Sequence, residues 1–250
     1  TEIYTLSLHD ALPICWLGRK VFAFHPHESH FLASPDELMI LPEEMEAERA
    51  VFLPNMESAV NFVHDGRPLL GERVLVLGQG IVGLLTVALL GRFPLQELVS
   101  VDPVLLRRQA SLRLGAHRSL APEEAALASH FDLSFELSGN PSVLNEAIRA
   151  TGFSGRVVVG SWYGDKRAEL DLGGLFHRSR MQIVSSQVST MNPSISGAWD
   201  KSRRLNWALH LLSEVMPEKL ITHRFPLHEA ARAYQLIDQH PEQSIQVVLT

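Results

Sequence analysis

The sequence predicts an α/β fold built on a doubly wound parallel sheet. Three observations predict it. Strand and helix patterns alternate from residue 73 to residue 160. The run Arg73-Val74-Leu75-Val76-Leu77 leads directly into Gly78-Gln79-Gly80-Ile81-Val82-Gly83 and then into a long apolar helical pattern. A second strand pattern, Glu97–Val101, ends in Asp102, about 20 residues beyond the last of those glycines. Alternation of this kind implies parallel strands covered on both faces, and right-handed crossovers wind them in both directions.

The glycine spacing has a physical reading. The first glycine permits a tight strand-to-helix turn, the second lets the backbone approach a pyrophosphate, and the third lets the helix lie close to the strand. The helix beginning at Ile81 directs its free amides and positive dipole end at phosphate. A carboxylate at Asp102 is placed to accept hydrogen bonds from ribose hydroxyls and would repel the extra phosphate of NADP, so the expected cofactor is NAD rather than NADP. The bland reading of the same residues is a tight βα turn and a helix-capping acid.

The remaining elements follow in order. Strands are expected at Arg19–Phe24 and Phe31–Ala33, and a proline-opened acidic helix at Pro42–Ala50. A helix at Asn55–His64 must stop at Gly66 and Pro68. After Arg73–Leu77 come helix Ile81–Phe93, strand Glu97–Val101, helix Pro103–Leu114, strand Arg118–Leu120 and helix Pro122–Ser129. Strand Phe131–Leu137, helix Pro141–Ala150 and strands Gly155–Gly160 and Arg180–Val188 complete the alternation. A helix with an apolar stripe runs over Trp199–Leu212, followed by strand Ile221–Phe225, helix Leu227–Ile237 and strand Ser244–Leu249.

Composition bounds the rest. A chain of 250 residues with 46% hydrophobic and 20% charged residues can bury a sizeable core. A formal charge of −6 gives no reason to expect nucleic acid or an anionic membrane as partner. The longest apolar run, Ile81–Leu90, is too short to span a bilayer. A single cysteine, Cys15, forms no intrachain disulfide and no multi-cysteine metal site, so the cytoplasm is the expected compartment. Residues 5–14 resemble the translation of a sequencing-library adapter; residues 1–15 are therefore set aside from fold reasoning, and natural protein is expected to begin near Trp16.

Leu53-Pro54 with Ser58-Ala59-Val60, the Gly78–Gly83 turn, Asp102 with Arg107-Arg108, and Leu114-Gly115-Ala116 form a connected set. Asp132 through Glu136 with Ser138-Gly139, the run Gly155–Gly160, Ile221–Phe225 and Glu229-Ala230 extend it. From about Gly18 to Thr250 these residues resemble the medium-chain dehydrogenase/reductase superfamily, in its alcohol and polyol dehydrogenase branch. The resemblance implies a GroES-like catalytic domain whose remnant is 16–55, a Rossmann dinucleotide domain at 56–213, and a return to the catalytic domain at 214–250. It implies hydride transfer between a nicotinamide and a small-molecule alcohol or carbonyl, and a homodimer paired through Arg180–Val188. The alternatives are a dinucleotide-binding module without catalysis and a zinc-independent NADPH-dependent enzyme like the quinone reductases.

By the resemblance, Gly78, Gln79, Gly80, Ile81, Val82, Gly83, Asp102, Arg107, Ser138, Gly139, Gly160 and Ser161 bind cofactor. Arg107 is equally an ordinary helix charge. The family's third zinc ligand falls at Ala50, which cannot bind metal; either Glu48 substitutes or no catalytic zinc is used, and the expectation is none. No catalytic acid or base can be assigned. His25, His27 and His30 read as a polar loop at a cleft mouth rather than a metal site. Gln246 stands where classical members carry an arginine. Trp162, at the end of the fifth strand, stands by the resemblance near the nicotinamide pocket, but Trp162 and Tyr163 read rather as packing aromatics; Lys201, Arg203 and Arg204 read as the wet side of a helix.

Overall fold

The alternation read between residues 73 and 160 is present, nearly residue for residue, in a computed structural model that describes residues 16–125 and 129–250. The adapter-like segment with Cys15, and the middle of the helix expected at Pro122–Ser129, lie outside the described residues. The described chain falls into two units: residues 16–53 with 209–250, and Pro54–Ala208.

In the first unit, β1 (Val21–Phe22) pairs antiparallel with β2 (Met39–Ile40). The strand expected at Phe31–Ala33 is absent: Leu32 is almost fully exposed, and Phe31 stacks on His25 at 3.9 Å. The helix expected over Pro42–Ala50 shortens to α1 (Ala47–Ala50). Strand pairing runs on through Leu41, whose N–H donates to the Lys20 carbonyl, and the Lys20 ammonium takes the carbonyls of Glu43 and Met45. Those carbonyls are thereby withheld from a longer helix.

The second unit opens with α2 (Leu53–Gly66), which reaches back to the boundary and ends at the expected glycine. There follow β3 (Arg73–Leu77), α3 (Ile81–Leu90), β4 (Glu97–Val101), α4 (Leu105–Arg113), β5 (Arg118–Leu120) and α5 (Pro122–Ala125). Then come β6 (Phe131–Glu136), α6 (Val143–Ala150), β7 (Thr151–Val159) and β8 (Gln182–Ser185). All six strands are parallel, in the order β5-β4-β3-β6-β7-β8. The order reverses between β3 and β6, which is where doubly wound sheets place their ligand.

The strands are apolar throughout because both faces are covered. Leu75, Leu77, Val99 and Val101 pack with Leu144 and Ile148 on one side, while Val74, Val76 and Leu98 pack with Val87, Leu90 and Phe62 on the other.

α7 (Lys201–Val215) carries a correction. Arg204 is not on a wet face but fully buried. Its guanidinium donates to Glu57 Oε1 at 2.9 and 3.1 Å, to Asn61 Oδ1 at 2.5 Å and to the Val188 carbonyl. Arg204 falls in line with Ala208, Leu211 and Leu212, on the helix's inward stripe.

The chain ends in β9 (Ile221–Phe225), α8 (Ala230–Gln239) and β10 (Gln246–Leu249), with β9 and β10 parallel. Arg49 and Glu218 form a half-buried bidentate pair at 2.8 and 3.0 Å. Burial alone pushes the Glu218 carboxyl up, but the hydrogen bonds and charge of Arg49 outweigh it and hold the carboxyl below its ordinary 4.5. A lowered carboxyl stabilises the fold above its ordinary value and stops doing so as pH falls through its folded value. Arg49→Met is therefore expected to flatten the loss of stability between about pH 5 and about pH 3, read as urea midpoints across that range.

Candidate functional site

The turn between β3 and α3 is built as the glycine pattern requires. Gly78 has φ +93°, and a Cβ there would lie 2.6 Å from the backbone of Leu137 and Ser138. At Gly83 a Cβ would lie 2.0 Å from the Gly78 carbonyl oxygen, so this residue lets α3 close against the strand. Gly80 differs: its backbone is one any residue adopts, φ −64° and ψ −179°, and a Cβ would meet open space. That space belongs to a cavity of about 680 Å³ at the carboxyl edge of the sheet.

Gly78, Gly80, Asp102, Arg107 and Ser138 line this cavity together, with apolar walls from residues such as Val101 and Val143. Gln79, Ile81, Val82, Gly83, Gly139, Gly160 and Ser161 are not part of its lining. Ile81 and Val82 form the first turn of α3, whose leading amides have no partner within the helix. The Gln79 side chain is fully buried and donates to the carbonyls of Val76 and Gly78, at 3.2 and 2.9 Å.

Asp102 serves the architecture as well as facing the cavity. It is 3% exposed; Oδ2 accepts from the Gln79 N–H at 2.7 Å and Oδ1 from the Val104 N–H at 2.8 Å. The carboxylate so ties the glycine turn to the end of β4. Its two oxygens offer about four acceptor directions, leaving room for ribose hydroxyls. Arg108 donates to the carbonyls of Asp102 and Pro103, both at 2.8 Å, and fixes the same corner.

Across the switch point the loops after β6 and β7 are joined. Gly139 N–H donates to Ser161 Oγ at 2.9 Å, and the N–H groups of Gly160 and Ser161 donate to the Glu136 carbonyl at 3.1 and 3.2 Å. Glu136, which the sequence reading gave no site role, and Tyr163, read there as a packing aromatic, meet here. Glu136 is fully buried; its Oε1 accepts from the Ser138 N–H at 2.8 Å and from the Ser138 hydroxyl, and its Oε2 from the Tyr163 hydroxyl at 2.5 Å. Burial first, then Glu136, pushes the Tyr163 phenol well above its ordinary 10.0. The sequence signal was an acid closing an otherwise buried strand. Tyr163 thus makes a specific polar contact, and Trp162 is 92% exposed rather than packed.

In the first unit His25, His27 and His30 are exposed and do not converge. His27 Nδ1 lies 3.1 Å from the Tyr234 hydroxyl and His30 Nδ1 3.3 Å from Ser29 Oγ. Among the described residues no group of three His, Cys, Asp or Glu is placed to hold a metal ion. Ala50 is buried and carries no side-chain donor for a metal, and the Glu48 carboxylate is engaged by Arg224 through bonds of 2.5 and 2.7 Å. Gln246 donates its side-chain amide to the Val247 carbonyl at 2.9 Å.

No protein-family model matches the chain. It is 26% identical over 227 residues to D-guloside 3-dehydrogenase of Escherichia coli K12, covering 86% of this chain and 65% of that protein. It is 24% identical to L-threonine 3-dehydrogenase of Legionella pneumophila, strain Corby, covering 84% and 61%. Among solved structures, an alcohol dehydrogenase (RspB) from E. coli CFT073 complexed with NADH aligns with TM-score 0.72 and 22% identity, covering 87% of this chain and 64% of that one. The 2R,3R-butanediol dehydrogenase of Bacillus subtilis aligns with TM-score 0.72 and 21% identity, covering 93% and 74%. The chain thus spans less than two thirds of the curated relatives it matches. By sequence and by fold, its relatives and structural neighbours are zinc-type alcohol and polyol dehydrogenases of the medium-chain dehydrogenase/reductase superfamily.

Proposed function

We propose that the chain is the cofactor-binding part of an NAD-dependent oxidoreductase of alcohol dehydrogenase type, acting on a small-molecule alcohol or carbonyl compound. The observation that carries this reading is one cavity, at the point where strand order reverses, lined by Gly78, Gly80, Asp102 and Ser138. The amides at the start of α3 would receive the pyrophosphate and Asp102 the adenine ribose. Ser138, Gly139, Gly160 and Ser161, on the other side of the switch point, would receive the nicotinamide half. When bound, the nicotinamide supplies the hydride chemistry; the protein orients it and keeps water from it. Arg107 would balance the Asp102 carboxylate.

The preference for NAD rests on the charge of Asp102, which disfavours a ribose phosphate. NADH is expected to bind at least about tenfold more tightly than NADPH in a fluorescence titration; the reverse order overturns the cofactor choice.

In this reading the unit of residues 16–53 and 209–250 is the remaining part of the GroES-like catalytic domain. β8, an edge strand of the sheet, would pair two copies in a cytoplasmic homodimer. No helix among the described residues is long and apolar enough to cross a membrane. A second reading, cofactor binding without turnover, is favoured by the Glu48–Arg224 pair and by alanine at position 50. Turnover of an alcohol and polyol panel with NAD, assayed with the rest of the catalytic domain restored to the chain, distinguishes them: activity supports the dehydrogenase, and saturable NADH binding that persists with no turnover of any substrate supports the binding module.

A further inference from the structure

We propose that Glu136 is a positioning residue for the nicotinamide half of the cofactor, acting with Tyr163 to lock together the loops that leave β6 and β7. The proposal rests on the dinucleotide reading above and goes beyond it by assigning a role to two residues outside the glycine turn.

A fully buried carboxylate at the end of an apolar parallel strand is expensive unless every oxygen is satisfied. Here the donors are all neutral: the Ser138 N–H, the Ser138 hydroxyl and the Tyr163 phenol. Each comes from a loop at the carboxyl edge, one loop per oxygen. Oε1 holds the loop after β6, and Oε2 holds the loop after β7. Three hydrogen bonds converge on the two oxygens of one buried side chain, so Glu136 ties both loops to the end of β6. The Glu136 backbone repeats the arrangement, since its carbonyl accepts from Gly160 and Ser161. Gly139 closes the ring by donating to Ser161 Oγ, and the Lys166 ammonium donates to the Gly139 carbonyl at 3.1 Å.

The location decides what the lock serves. β6 lies beside β3, directly across the reversal of strand order from Asp102 at the end of β4. A dinucleotide laid across that crevice with its adenosine at Asp102 places its other half over the ends of β6 and β7. Ser138 also abuts Gly78, the first glycine of the phosphate turn. Movement of the two loops would therefore disturb the nicotinamide side while leaving the Asp102 corner intact.

The experiment compares NADH with AMP, which probes the adenosine side alone. Both are titrated into the wild-type chain and into Glu136→Ala, Glu136→Gln and Tyr163→Phe, with the thermal midpoint of each variant recorded. Glu136→Ala, which removes every acceptor of the lock, is expected to weaken NADH about tenfold, while AMP stays within about twofold. Tyr163→Phe is expected to weaken NADH about threefold in the same selective way. Glu136→Gln is expected to rescue most of the loss, because its amide oxygen still accepts from Ser138 and its NH₂ still bonds the phenolic oxygen. If Glu136→Ala does not fold, Tyr163→Phe decides by the same ratio. NADH and AMP weakened equally, NADH unchanged, or Gln as weak as Ala overturns the proposal. A folded wild-type chain that binds neither probe overturns the dinucleotide reading itself, and the proposal with it.

Discussion

Replacing Gly80 by glutamate is expected to abolish NADH binding while leaving the fold intact. The two halves of that expectation come from different observations. The Gly80 backbone sits where any residue is comfortable, and a Cβ there meets nothing within 4 Å, so the protein has room for the side chain. The room it fills is the cavity in front of α3. A carboxylate there both displaces the pyrophosphate and competes with it for the helix dipole and leading amides. A loss of at least about a hundredfold is expected, measured by titration with an unchanged circular dichroism spectrum and melting curve as the control. Gly83→Ala provides the contrast: its Cβ would overlap the Gly78 carbonyl, so that variant is expected to lose the fold as well as the ligand. Wild-type affinity in Gly80→Glu would show that the phosphate turn has been assigned to the wrong residues.

The second large effect is on stability. Glu57→Ala is expected to destabilise the Pro54–Ala208 unit by about 3 kcal/mol, because it leaves the Arg204 guanidinium buried without its carboxylate. The Asn61 amide and the Val188 carbonyl remain as partners, but neither carries a charge. Asn61 is in turn tied to Asp65 and Ser186, and Asp65 accepts from Asn192, so the pair anchors the segment after β8 to α2. Urea denaturation monitored by tryptophan fluorescence reads the loss directly, since Trp199 lies close to α7 in sequence. A midpoint within error of wild type would mean that Arg204 finds water on the surface, as its sequence neighbourhood first suggested.

That neighbourhood shows where sequence reasoning reached its limit. Lys201, Arg203 and Arg204 look alike as a basic trio, and charge alone assigned all three to solvent. Helical spacing separated them: Arg204 falls in line with Ala208, Leu211 and Leu212, and the stripe outweighed the charge because Glu57 was there to meet it. The sheet was legible for the opposite reason. β3, β4, β5 and β9 occupy the residues expected of them; β3 and β4 are compact runs rich in Val and Leu, and β5 and β9 stand in the spaces that the alternation leaves for a strand. β1 and β2 are two residues each, and their pairing depends on long-range contacts such as those of Lys20, which no local pattern records. The strand expected over Arg180–Val188 keeps only Gln182–Ser185, because Arg180 adopts a left-handed φ of 51° and the Val188 carbonyl is taken by Arg204.

The site divides in the same way. Gly78, Gly80, Gly83 and Asp102 were readable because backbone geometry at a phosphate turn leaves few residue choices. What Asp102 also does, fastening the Gln79 and Val104 amides, becomes visible only in three dimensions. Glu136 and Tyr163 lie 27 positions apart in the chain and meet only because β6 and β7 are neighbours in the sheet.

The most direct test of the account is a calorimetric titration of NADH into the folded wild-type chain. One saturable site per chain, competed by AMP, is the predicted result. A folded chain that takes up no NADH, or binds it without competition from AMP, would contradict the assignment of the Gly78–Gly83 turn and Asp102 as a dinucleotide site.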